Sequence, residues 1–254
     1  MNDLVAQLAQ LAGMAEQGLW LAALVFLRVG AAVALLPALG EQAVPQRVKL
    51  TAALALTLIV LPAAPAADFT LGAVLAEVIA GLALGLGLRL LILGLQTAGV
   101  LAAQSISLSQ MFGAVGPEPQ PIVANLLTLA ALALFVLMGG LPRAAELLVI
   151  SYQILPTGQS PDPGMLADWG LARVIQVFSL AFSLAAPFVL AALLYNLALG
   201  AINRAMPALM VSFIGAPALT LGGLGLLALT APLLLELWRQ AMQAALAAPY
   251  GGLP

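Results

Sequence analysis

Long apolar runs, separated by short polar or proline-rich joints, set the pattern of this chain. A helix that crosses a bilayer takes about 20 apolar residues. The first run of that kind covers residues 19–39 and is interrupted by Arg28. The polar turn "GEQAVPQRVK" follows, then a shorter run over 50–61 that ends at "PAAPAAD". A third run, about 71–103, contains Glu77 and Arg89. The fourth covers 122–138, and "GGLP" breaks it ahead of "RAAELLVISYQILP". "TGQSPDPGMLAD" reads as an exposed loop from its Gly, Pro, Ser and Asp. Runs over 171–200, with Pro187 inside, and 209–246, with Pro217 and Pro232, complete the set. Each internal proline removes an i→i−4 hydrogen bond, so kinks are expected near these three positions. The pattern predicts an all-α fold: a membrane-type bundle of long, kinked, hydrophobic helices in a single domain, 1–254.

Two segments fall outside the runs. In residues 1–18, Leu4, Val5, Leu8, Leu11 and Ala12 recur at helical spacing opposite Gln7, Gln10 and Gln17. This predicts an amphipathic helix lying at the membrane interface. The segment lacks the basic start of a cleavable signal. Residues 105–123, "SISLSQMFGAVGPEPQPIV", turn polar, then Gly-rich, then place Pro117, Pro119 and Pro121 at alternate positions. Alternating prolines cannot continue a helix, so an irregular segment of about 105–121 is expected between two apolar helices. The tail, 247–254, is expected to be loose.

Composition sharpens this picture. The chain is 63% hydrophobic and 7% charged, against about 25% charged for a soluble domain. Surface of that kind belongs in a membrane or inside a larger assembly. A net charge of −2 offers no basic patch for nucleic acid. With no Cys and no His, thiolate chemistry, iron–sulfur sites and most zinc sites are excluded. No nucleophile elbow, metal cluster or paired-Asp motif occurs, so the reading is of a protein that is not an enzyme and has neither cofactor nor metal. Arg47 and Lys49 make the turn after the first run the best candidate for a cytoplasmic loop.

The candidate functional residues are few. Arg28, Glu77 and Arg89 stand inside apolar runs, where an ionisable group normally faces protein or water. They form either an ion path or structural pairs. Glu77 and Arg89 are twelve residues apart, about 18 Å along a helix, and cannot pair with each other on one straight helix. Gly81 and Gly85 form a G-x-x-x-G, and Gly87, Gly94 and Gly99 continue the series, which suggests tight packing against several neighbours. "LALGLGLR" (82–89) and "LALGAINR" (197–204) share LALG-x-x-x-R, by chance or as a repeat. A true repeat favours a transporter or a gene-fused channel subunit.

Four stretches together carry a resemblance: "LRVGAAVALLPALGEQAVPQRVKL", "TAGVLAAQSISLSQMFGAVGPEPQPIVANLLTLAALALF", "LPTG", and "NLALGAINRAMPALMVSFIGAPALTLGG". In order and spacing they resemble the FliR family of flagellar biosynthetic proteins, parts of the export gate of type III secretion systems. The most specific element is N-R-x-x-P at Asn203, Arg204 and Pro207, followed by Gly215 and Pro217; Ala208 stands where the family usually has Gln. The resemblance implies a structural and gating subunit in the bacterial inner membrane, extending toward the periplasmic side within the flagellar basal body. It implies a helical cone shared with FliP-like and FliQ-like subunits, contacts with FlhB-like and FlhA-like components and with lipid, and unfolded substrates in transit. It also implies that many apolar helices are buried against partners rather than in the bilayer. Residues 105–121 fall where such proteins carry a loop closing the pore, so Met111, Phe112, Gly113, Val115, Gly116 and Pro117 become candidate plug residues, the alternative being a plain inter-helix loop. Arg28, Glu77, Arg89, Asn203, Arg204 and Pro207 become candidate assembly residues, and Gly81 and Gly85 candidate packing residues. The alternative function is a small secondary transporter, supported by Glu77, Arg28 and the LALG echo.

Overall fold

The structure, a computed structural model, describes residues 2–106, 122–205 and 211–248, with side chains from 13 in the first stretch and from 218 in the last. Among these residues there are seven α-helices and no strand. They are α1 (Asn2–Leu35), α2 (Gln46–Val60), α3 (Leu71–Ser105), α4 (Ile122–Leu137), α5 (Gly140–Ile154), α6 (Pro163–Ala205) and α7 (Val211–Ala247). A 3-10 turn, Leu61–Ala63, extends α2. Five stretches are long and apolar enough to cross a membrane: Gly13–Leu35, Gln46–Ala63, Leu71–Ser105, Pro163–Ala205 and Ala218–Ala247. The expected all-α bundle of membrane type is what the chain forms.

Two boundaries differ from the pattern reading. The first 18 residues do not form a helix of their own: α1 runs unbroken from Asn2, because no proline stands at the join and a helix tolerates Gly13 and Gly18 at about 1 kcal/mol each. Helix α6 begins at Pro163, inside the expected loop. Asp162 caps it, its Oδ1 accepting from the Met165 N–H at 2.9 Å, and proline suits the first helical position. As the runs indicate, α6 continues through Pro187 and α7 through Pro217 and Pro232. The "GGLP" interruption is real: Gly139 takes φ +75°, a left-handed conformation that ends α4 and lets α5 restart at Gly140.

The chain divides into two compact units, Met1–Arg89 with Phe135–Ala172 and Ala244–Pro254, and Leu90–Leu134 with Arg173–Gln243. In the first, α1 and α2 form an antiparallel hairpin. Val25, Val29, Ala32 and Val33 of α1 join Ala53 and Val60 of α2, Leu84 of α3, and Leu148 and Tyr152 of α5 in one core. In the second, α3 and α4 approach so closely that a Cβ at Gly99 would lie 2.5 Å from the Ala124 Cα. Trp238 of α7 is fully buried there and donates its Nε1–H to the Leu91 carbonyl at 2.9 Å. Outward-facing leucines and phenylalanines remain on both units, among them Leu58, Leu129, Phe182, Leu194 and Leu229. Apolar surface of this extent calls for lipid or protein around it.

Candidate functional site

On α3, Glu77, Gly81, Gly85 and Arg89 recur every four residues and so share one helix face. That face meets α1. At Gly81 an added Cβ would sit 2.1 Å from the Arg28 carbonyl oxygen, and at Gly85 one would sit 2.6 Å from the Ala32 carbonyl oxygen. Only glycine permits this approach. Numbers rise together on the two helices, Arg28 against Gly81 and Ala32 against Gly85, so α1 and α3 run parallel here. The charges bracket the glycine contact with opposite signs. Glu77, before it, pairs with Arg28. Arg89, after it, pairs with Glu41 from the turn beyond α1, both side chains about a quarter exposed or less.

The Arg28–Glu77 pair is the centre of a closed polar cluster. Both residues are fully buried. Arg28 Nη2 donates to Glu77 Oε1 at 2.9 Å, and Arg28 Nε makes an ion contact with Oε2 at 2.8 Å. The other guanidinium nitrogen, Nη1, donates to Ser151 Oγ at 3.2 Å and to the Leu155 carbonyl at 3.0 Å. The guanidinium carbon lies 3.8 Å from the centre of the Tyr152 ring, a cation–π contact. Glu77 takes two further donors, the Tyr152 hydroxyl at 2.8 Å and the Gly158 N–H at 2.9 Å. Gly158 has φ +77°, which glycine adopts without strain and which turns its N–H toward the carboxylate.

Burying two ions removes several kcal/mol of hydration from each, and the loss is offset only where geometry is good and every remaining polar position is filled. Here the carboxylate accepts three hydrogen bonds and makes one further ion contact, with Arg28 Nε. The cluster ties together α1 (Arg28), α3 (Glu77), the end of α5 (Ser151, Tyr152) and the turn after it (Leu155, Gly158). Ser151, Tyr152 and Gly158 were not singled out from the sequence. The one available signal was "LPTG", residues 155–158, quoted as part of a resemblance and now seen to grip both charges.

The other candidates lie elsewhere. Asn203 and Arg204 sit exposed in the last turn of α6. Met111, Phe112, Gly113, Val115, Gly116, Pro117 and Pro207 lie outside the described residues. Among the described residues no group of three or more Asp, Glu, His or Cys is placed to hold a metal ion.

Comparison with known proteins gives a consistent result. A family profile described as bacterial export proteins, family 1, matches residues 19–245. The chain is 35% identical over 232 residues to the flagellar biosynthetic protein FliR of Caulobacter vibrioides, covering 86% of this chain and 91% of that protein. It is 32% identical to FliR of Escherichia coli over 221 residues, with 82% and 83% covered. It is 30% identical to FliR of Pectobacterium carotovorum over 218 residues, again with 82% and 83% covered.

Proposed function

Since the chain belongs to the FliR family of bacterial export proteins, we propose that it is a structural and gating subunit of the flagellar type III protein-export channel. In this reading it resides in the bacterial inner membrane, assembles with FliP-like and FliQ-like subunits, meets FlhB-like and FlhA-like components, and passes unfolded substrates. The observation that carries the reading is the match of the bacterial export family profile over residues 19–245, together with the similarity to relatives named for flagellar biosynthesis. The outward-facing apolar side chains on both units are compatible with it, since they are surface that assembly would cover.

Within this function Arg28 and Glu77 act as a clamp. Each uses its polar atoms on the other and on backbone or hydroxyl partners, and neither meets solvent. The role assigned to them is to hold α3 and the turn after α5 on α1 at one register, so that the subunit presents a fixed surface. A secondary transporter draws part of its support from the same two charges, and their commitment to each other weakens that part, leaving the LALG echo. The stretch 105–121 is assigned the pore-closing role, with Met111 and Phe112 as bulky, adaptable fillers and Gly113 and Gly116 as turn points.

Deleting the gene in its own host and re-expressing it tests the function. The deletion strain is expected to lose swimming and secretion of flagellar filament protein, and the restored gene to recover both. A deletion strain that secretes and swims normally would remove the proposal.

A further inference from the structure

Helices α2 and α5 of the first unit border an open groove of about 710 Å³. From α2 come Leu56 and Ile59, the latter 59% exposed. From α5 come two rows of side chains, each stepping four residues: Leu141, Ala145 and Val149, and beside them Pro142, Glu146 and Ile150. Residues four apart stand above one another on a helix, so the rows are ridges along one face of α5. From Leu141 to Ile150 this face extends about 13 Å, roughly two and a half turns, at about 1.5 Å per residue.

Glu146 is the ionisable group on this otherwise apolar lining, and it stands half-way along its ridge, between Pro142 and Ile150. Among the described residues its carboxylate has no hydrogen bond and no ion pair. Arg143, three residues earlier and able to reach it by spacing, makes none with it. Elsewhere in the same unit Glu41 and Glu77 each hold an arginine. A charge in an apolar setting normally faces water or an opposite charge. Covering the groove removes the water, and a carboxylate left there alone is costly. The carboxylate therefore selects among occupants. An acyl chain fills an apolar groove but brings no cation to its middle. A helix does both, since its apolar side chains enter the groove while a neighbouring position carries a lysine or arginine.

We propose that the α2–α5 groove receives an apolar helix of another subunit of the export gate, with a lysine or arginine of that helix set against Glu146. Ala145, the smallest residue on the lining, lets the incoming helix approach closely, as small side chains do where helices meet in membranes. The inference rests on the reading of the chain as one subunit of a heteromeric gate, and it adds the face, the anchoring residue and the charge of the partner. Its test reads contact and pairing, not export.

The photoreactive residue p-benzoylphenylalanine in place of Val149, expressed from the chromosomal locus and irradiated in growing cells, marks whatever fills the groove. Mass spectrometry of the digested adduct locates the contact. The expected adduct lies on an apolar helix of a different subunit, with a lysine or arginine within about one turn of it. Glu146→Lys is then expected to reduce both the adduct and the copurification of that subunit several-fold. Replacing the partner's cation by glutamate is expected to restore both, a rescue that a misfolded chain would not show. An adduct to lipid, an adduct to a second copy of this chain, or no adduct overturns the proposal. So does an adduct on a helix with no cation nearby, or a charge reversal that fails to restore the contact. Adduct and rescue in a strain whose deletion leaves secretion intact would sustain the docking while removing the export function; loss of secretion on deletion with no adduct would do the reverse.

Discussion

Glu77→Gln isolates the charge of the buried clamp from its shape. In the native chain Glu77 Oε1 receives Arg28 Nη2 and the Gly158 N–H, both at 2.9 Å, and Oε2 faces Arg28 Nε and the Tyr152 hydroxyl, both at 2.8 Å. Glutamine turns one of these oxygens into an NH2 donor. On the Oε1 side that donor faces two other donors. On the Oε2 side the Tyr152 hydroxyl can rotate to accept it, but the Arg28 Nε–H cannot. In either orientation the guanidinium stays charged and fully buried, with only Ser151 Oγ, the Leu155 carbonyl and one amide oxygen around it. Removing one partner of a buried ion pair costs about 3–5 kcal/mol. At about 1.4 kcal/mol per tenfold, this is a shift of roughly 150- to 4000-fold in the folding equilibrium. Native domains hold only about 5–15 kcal/mol in total. Glu77→Gln is therefore expected to lower the amount of intact chain in membranes and the aggregation midpoint of the detergent-solubilised protein. The double variant Arg28→Met with Glu77→Leu removes both charges and leaves apolar groups of similar length. It is expected to be more stable than either single variant, and short of wild type because the Gly158 N–H and Leu155 carbonyl lose their partners, each worth about 1–3 kcal/mol if left unpaired. Wild-type stability of Glu77→Gln would refute the reasoning. So would normal assembly of Glu77→Gln with export uncoupled from the proton gradient, since Glu77 would then carry protons rather than hold helices.

Gly81→Ala places a methyl group 2.1 Å from the Arg28 carbonyl oxygen and is expected to cost at least about 1–3 kcal/mol by forcing α1 and α3 apart. Gly30→Ala on α1 meets nothing within 4 Å and is expected to be neutral or to stabilise by about 0.5–1 kcal/mol; thermal midpoints of the two variants measured side by side check the contrast. Glu41→Gln breaks a partly exposed pair with Arg89, so its effect on membrane levels is expected to be within about 1 kcal/mol, well below that of Glu77→Gln. Deleting residues 110–116 is expected to leave assembly intact and make the membrane leak small ions, read as dye or ion flux. A deletion mutant that assembles and stays sealed would reduce the stretch to a plain loop.

The helices themselves were legible because apolar runs of this length have few other folds; the run at 71–103 became Leu71–Ser105 within two residues at its far end. The separation of Glu77 and Arg89 along one helix established that they could not pair with each other. Their actual partners were not readable, because Arg28 and Glu41 are chosen by the register of α1 on α3, a tertiary quantity. The G-x-x-x-G at 81–85 signalled close approach without saying to which helix. The role of "LPTG" was hidden for another reason: the groups that matter are the Leu155 carbonyl and the Gly158 N–H, and backbone atoms leave no mark in composition. The start of α6 was readable in hindsight. Asp162–Pro163 is a helix-start signal, masked by the Gly, Pro and Ser around it.

The central claim, that this chain is one component of a heteromeric export gate, is tested most directly by what accompanies it out of the membrane. A tagged copy at its own chromosomal locus, extracted in mild detergent and weighed intact by native mass spectrometry, is expected to emerge in a complex with FliP-like and FliQ-like proteins. Its level is expected to collapse when those partners are deleted. A stable monomer or a symmetric homo-oligomer, unchanged by loss of those partners, would contradict the account.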